Sequence, residues 1–105
     1  MSDVLSAIQD TLEARRSASP DESYTAQLLH KWQDKILKKV IEEAGEVLMA
    51  SKDGDQAHLV YEVADLWFHS MILLTYHNLR AEDVLQELAR RQGLSGLAEK
   101  KARQE

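Results

Sequence analysis

The chain has 105 residues, 44% hydrophobic and 30% charged, a formal net charge of −5, one proline, four glycines and no cysteine. That is the size of one small domain, taken here as 1–105, and the composition of a folded protein rather than a disordered one. The acidic balance argues against a generic nucleic-acid surface, the lack of cysteine excludes disulfides, thiolate zinc sites and a cysteine nucleophile, and neither a leader-like opening nor an apolar run of about 18 residues is present, so a cytoplasmic location with no membrane partner is expected.

Residues 3–16 read as a first helix, with Asp3 as N-cap and Val4, Leu5, Ile8 and Leu12 at helical spacing. SASPDES, residues 17–23, is a loop by composition, and Ser23 or Asp21 can cap a helix that starts at Tyr24. Residues 24–51 read as helical throughout, with a bend near Trp32–Asp34. In the second half of that stretch Ile36, Leu37, Val40, Ile41, Ala44, Val47 and Leu48 make one broad apolar face, and Lys39, Glu43 and Glu46 lie along its edge. The sequence Lys52-Asp-Gly-Asp55 ends the helix, because Gly54 suits a left-handed C-terminal position and Asp55 can cap the next helix.

Residues 56–79 form the most informative element. Apolar side chains cover most of its circumference, which is the pattern of a helix buried by neighbours or by a partner subunit. One narrow polar stripe remains, made of His58, Glu62, Asp65, His69 and Tyr76. An isolated buried carboxylate is costly, so that stripe is expected to face a metal, a basic ligand or matching polar groups. Ala81–Arg91 reads as a further helix with Glu82 and Asp83 in its first turn and Arg90 and Arg91 in its last, both favourable to the helix dipole. Gly93 and Gly96 interrupt the chain, and Leu97–Glu105 is a short amphipathic helix or a frayed end.

The chemistry concentrates in residues 39–65. Glu42, Glu43 and Glu46 are followed, after a gap of 15 residues, by Glu62 and Asp65. Glu43/Glu46 and Glu62/Asp65 are each spaced i, i+3 and share a helix face. Two antiparallel helices would bring these carboxylates together as an all-oxygen site, which suits Mg²⁺ and, secondarily, Mn²⁺. Such an ion bridges to substrate phosphates, and the lysines just before the acids can hold phosphate oxygens. Acidic pairs of this spacing also form ordinary solvated faces, and Lys38/Glu42 and Lys39/Glu43 are i, i+4 ion pairs that need no ligand. His58 and His69 are read as structural or exposed histidines, with metal ligation or general-base work as the alternative.

The order E-E-x-x-E, a gap of 15, then E-x-x-D resembles the signature of the MazG-like all-α nucleoside triphosphate pyrophosphohydrolases. Within that superfamily the chain is similar to the phosphoribosyl-ATP pyrophosphohydrolase (HisE-type) family. The resemblance is carried by Ser23-Tyr24-Thr25, KILKKVIEEAGEV, Ala50-Ser-Lys-Asp-Gly54, YEVADLWFH and DVLQELARRQGLSGLAEKKAR, which together span nearly the whole chain. It implies Mg²⁺-dependent hydrolysis of phosphoribosyl-ATP to phosphoribosyl-AMP and pyrophosphate in histidine biosynthesis. It also implies an all-α bundle of antiparallel helices completed by homodimerisation or higher homo-oligomerisation. By motif position it makes Glu43, Glu46, Glu62 and Asp65 the metal ligands and adds Glu42 to them as catalytic. Lys39 and Lys52 become substrate-binding positions, with Ser23, Tyr24, Lys35, Arg90 and Arg91 as further substrate contacts. Trp32, where related enzymes carry a small glycine, and Ile41 and Gly45 depart from the family's usual residues and bear on local packing and pocket shape.

Two other functions compete with this one. A house-cleaning pyrophosphatase of the MazG type would share the acids, but not SYTAQLL and ELARRQG. A non-catalytic helical dimerisation module would use the apolar helix as an interface and leave its acids solvated. A di-iron carboxylate bundle fits worst, because it wants Glu-x-x-His where this chain has Glu62-x-x-Asp65.

Overall fold

The structure, a computed structural model, describes residues 2–30, 33–92, 100, 101 and 103. The helices are α1 (Ser2–Arg15), α2 (Tyr24–His30), α3 (Gln33–Asp53), α4 (Gln56–Tyr76) and α5 (Ala81–Arg91). Among the described residues there is no strand, so the all-α expectation holds. No helix among them is long and apolar enough to cross a membrane.

The fold is built around the hairpin of α3 and α4, which pack along one another and are joined by a tight turn. Gly54 makes that turn possible: its φ of 79° lies in the left-handed region, where a Cβ would strain the backbone. Asp55 then opens α4 by accepting a hydrogen bond from the His58 amide at 3.1 Å. At the other end the Leu79 amide reaches back to the Leu74 carbonyl at 2.8 Å, and Asn78 adopts a positive φ of 62°. These contacts end α4 at Tyr76, three residues earlier than its apolar pattern suggests.

The stretch 24–51, expected to be helical with a bend near Trp32–Asp34, is described as α2 up to His30 and as α3 from Gln33. Ser23 caps α2 through its hydroxyl, which accepts from the Ala26 amide at 3.2 Å. The anticipated bend begins at Trp32, outside the described residues, as do Gly93, Gly96 and Leu97. Helix α1 starts at Ser2, so Asp3 sits in its first turn rather than capping it.

Helices α1 and α2 close over one face of the hairpin, and α5 returns to pack on α1. The core they enclose contains Leu12, Leu28, Ile36, Met71, Ile72 and Ala81. Full burial of a Leu or Ile side chain contributes about 1.5–3 kcal/mol. A polar junction crosses this core. Gln9, fully buried, donates to the Thr75 hydroxyl at 2.6 Å and accepts from the Ala81 amide at 3.0 Å. At the rim, Arg80 binds Asp10, Glu13 and Glu82 and so ties α1 to the start of α5. Those partners hold the Arg80 guanidinium pKa above its usual value, and Arg80 together with the Ser6 hydroxyl holds the Glu82 carboxyl below its own.

Only half of the apolar face of α3 is used. Ile36 and Ala50 are buried, but Ile41 is 72% exposed and Leu48 is also open. On α4, Val60, Tyr61 and Trp67 are also exposed, Trp67 by 59%. A Cβ added at Gly45 would meet nothing within 4 Å, so within this chain that glycine serves no close packing.

Candidate active site

Glu43, on α3, and Glu62 and Asp65, on α4, each offer a carboxylate oxygen, and the three atoms lie within 4.8 Å of one another. The hairpin produces this meeting. Glu43 lies on the edge of the α3 apolar face that packs against α4, and Glu62 and Asp65 belong to the polar stripe of α4 that faces back. Both glutamates are 7% exposed, and Asp65 is half-buried. Three carboxylates this close repel one another unless cations intervene.

Two groups of the chain partly answer that charge. The Lys39 ammonium lies 3.4 Å from Glu43 Oε1 and 3.4 Å from Glu42 Oε2. Burial acts to lower its pKa, but the neighbouring Tyr24 and the carboxylates of Glu43 and Glu42 outweigh it and raise the value above the ordinary one. His58, one turn before Glu62, places Nε2 3.2 Å from Glu62 Oε1.

The donor set also fits a hard cation. Oxygens sharing an octahedral Mg²⁺ stand at most about 4.2 Å apart, given bonds of about 2.1 Å. Small side-chain rotations therefore suffice to bring these three oxygens onto one ion.

The remaining candidates fall into four groups. Glu42 and Glu46 lie on α3 beside the cluster's first acid; both are exposed, and Glu46 stands outside the close triplet. Tyr24 borders the site from the start of α2, where Ser23 is occupied as the cap. Lys35 and Lys52 are exposed near the two ends of α3. Arg90 and Arg91 end α5, which packs on α1, and both bind Glu87, at 2.7 and 2.8 Å. They hold the Glu87 carboxyl down to about 2.

His69, placed by the sequence in the polar stripe of α4 and read there as a structural or exposed histidine, is buried beside the site. It is 5% exposed, and its two ring nitrogens meet the Asp65 carbonyl at 2.9 Å and the Tyr24 hydroxyl at 3.3 Å. The signal was present as spacing, since Asp65/His69 is an i, i+4 pair just as His58/Glu62 is.

A helical hairpin that gathers carboxylates from both arms beside a lysine fits the class of all-α hydrolases of phosphoric anhydrides. The sequence profile of one family in it, phosphoribosyl-ATP pyrophosphohydrolase, matches residues 5–92, and the chain belongs to that family. It is 79% identical over 102 residues to the phosphoribosyl-ATP pyrophosphatase of Neisseria meningitidis serogroup C, covering 97% of this chain and 95% of that one. It is 68% identical over 101 residues to the protein of the same name from Chromobacterium violaceum, covering 96% and 94%. A third, from Bordetella parapertussis, is 56% identical over 104 residues, covering 96% and 90%.

Proposed function

We propose that this chain hydrolyses phosphoribosyl-ATP to phosphoribosyl-AMP and pyrophosphate, a step of histidine biosynthesis, in the cytoplasm. One observation carries the reading. Two nearly buried glutamates and an aspartate converge from the two arms of one hairpin, in a chain 79% identical over almost its full length to a phosphoribosyl-ATP pyrophosphatase. Water adds across the anhydride between the α and β phosphates, so one oxygen ends on each product and no covalent enzyme intermediate is needed.

Glu43, Glu62 and Asp65 would hold Mg²⁺, with Mn²⁺ as a substitute, and Glu46 would join them from one turn along α3. A metal bound there supplies charge neutralisation for the polyphosphate and polarises water. Lys39, already a partner of Glu42 and Glu43, can turn its ammonium to a phosphate oxygen, and that exchange leaves Glu42 free to orient water. Lys52 and Lys35 reach phosphate from the ends of α3. Arg90 and Arg91 would first have to leave Glu87.

We also propose that the chain works as a homodimer or a larger homo-oligomer. A folded monomer of 11.9 kDa exposes about 5,900 Å² by the usual size scaling, whereas this chain exposes 7600 Å². The excess is of the size a stable dimer buries per partner. The exposed Ile41, Leu48, Val60, Tyr61 and Trp67 lie on the same two helices that hold the acids.

Pyrophosphate release from phosphoribosyl-ATP and from dNTPs, each with Mg²⁺ and with EDTA, tests the reading. The expected result is metal-dependent turnover with kcat/KM at least about a hundredfold higher for phosphoribosyl-ATP. A preference for dNTPs would assign the chain to house-cleaning instead, and no turnover of either would leave a dimerisation module.

A further inference from the structure

Two side chains beside the carboxylates are locked to each other in a way that fixes where a proton lies. His69 Nδ1 is 2.9 Å from the backbone carbonyl oxygen of Asp65. A carbonyl oxygen only accepts, so Nδ1 carries hydrogen; a bare nitrogen would set two lone pairs against each other at that distance. In the neutral ring Nε2 is then an acceptor. Its partner is the Tyr24 hydroxyl at 3.3 Å, which must donate.

The ring is held in this setting from both sides. Phe68 and Tyr24 meet it edge-on, with centroids 5.7 and 6.1 Å away, and it is nearly buried. Tyr24 is half exposed and near enough to Lys39 to influence it electrostatically.

We propose that His69 is a positioning residue that turns the Tyr24 proton away from the site, so that the phenol oxygen meets the substrate as a hydrogen-bond acceptor and selects a ribosyl hydroxyl rather than a phosphate oxygen. Phosphate oxygens are themselves acceptors and gain nothing from that face of Tyr24. They fall to Lys39, while the sugar hydroxyls next to the triphosphate are the nearest donors the substrate brings. The proposal rests on the substrate reading above and deepens it. It divides the basic and phenolic groups at the edge of the cluster into a phosphate contact and a sugar contact. Asp65 gains as well, since its backbone is tied to the same ring that orients Tyr24.

The test has a spectroscopic arm and a kinetic arm. Nitrogen-15 NMR of histidine-labelled protein at neutral pH reports the His69 tautomer, with no substrate and no turnover needed. The expected result is a neutral ring protonated on Nδ1, with an Nε2 signal that moves when Tyr24 is replaced by Phe. An Nε2-protonated ring, or one protonated on both nitrogens, overturns the proposal.

In kinetics, Tyr24→Phe loses one hydrogen bond, so KM should rise about two- to thirteenfold, the equivalent of about 0.5–1.5 kcal/mol, with kcat within about twofold. Mn²⁺ affinity by calorimetry should not change. His69→Leu, which offers no acceptor, should reproduce that KM effect, and the double variant should be no worse than the poorer single one. His69→Gln, which can return an acceptor to Tyr24, should recover part of the loss. Tyr24→Phe should also stop discriminating against a substrate analogue that lacks the adenosine ribosyl hydroxyls. A fall in kcat at constant KM, additive losses, or a lower melting temperature with unchanged kinetics would each show a merely structural pair. If His69→Leu does not fold, the NMR result and Tyr24→Phe decide. Failure of the substrate reading itself would appear separately, as wild type that does not turn over phosphoribosyl-ATP.

Discussion

Replacing Glu62 by Gln separates the electrostatic cost of the carboxylate cluster from its use. The change removes one of three negative charges whose oxygens lie within 4.8 Å, while Gln keeps an acceptor for His58. Two unit charges 4.8 Å apart interact by about 3.5 kcal/mol at an effective dielectric constant near 20. Two such pairs involve Glu62, so the repulsion relieved is on the order of 7 kcal/mol before neighbouring cations and solvent are counted. Lys39, 3.4 Å from Glu43, already neutralises part of it, and solvent at the half-buried Asp65 screens more. The expected gain for the metal-free protein is therefore about 1–2 kcal/mol, a rise of roughly 5–10 °C in Tm.

The same loss of charge should weaken Mg²⁺ or Mn²⁺ binding by at least about tenfold, the low end for disturbing even a ligand's supporting partner. Thermal unfolding by circular dichroism, in EDTA and in excess Mg²⁺, reads both effects. Wild type should melt lower in EDTA and be raised by the metal. The variant should melt higher in EDTA, respond weakly to metal, and release pyrophosphate at least about a hundredfold more slowly. If the variant melts below wild type in EDTA and both respond equally to Mg²⁺, the three carboxylates are not a strained charge cluster and the metal assignment fails with them.

Gly54→Ala places a Cβ at a φ of 79° and should cost about 1–2 kcal/mol, seen as a lower urea midpoint with unchanged slope. Ile41→Glu puts a charge on the open face of α3 and should convert the oligomer to monomer in sedimentation velocity; an unchanged sedimentation coefficient would place the interface elsewhere. Glu87 has its folded-state pKa depressed from 4.5 to about 2, so its contribution to α5 is complete above about pH 4.5 and is lost as pH falls through 2. Acid titration of helicity should accordingly be shallower between pH 4.5 and 2 for Glu87→Gln than for wild type.

The elements that follow local rules were legible in the sequence. Gly54 and Asp55 mark the hairpin turn because a left-handed residue followed by an N-cap has few other uses, and the i, i+3 acids fall on facing stripes because helix geometry leaves them no choice. The apolar face of α3 misled in part. Periodicity puts Ile36 and Ile41 in one broad apolar face, but does not show that neighbouring helices cover the first and leave the second open. The Tyr24–His69 pair was hidden for a related reason. It joins residues 45 positions apart, and only the docking of α2 on α4 reveals that a histidine of unremarkable spacing is held at both nitrogens.

The Gln9 junction has a consequence for how the chain assembles. The Ala81 amide, the first of α5, finds its acceptor 72 residues back on α1 rather than in its own neighbourhood. The α3–α4 hairpin closes through contacts near in sequence, whereas the Ala81 amide of α5 gains its acceptor only after the opening helix has docked. Hydrogen exchange at Ala81 therefore reports on α1. Undocking the opening helix removes Gln9 from the Thr75 hydroxyl and the Ala81 amide together, so α1 and the first turn of α5 are expected to open as one unit while the hairpin that carries the acids stays closed.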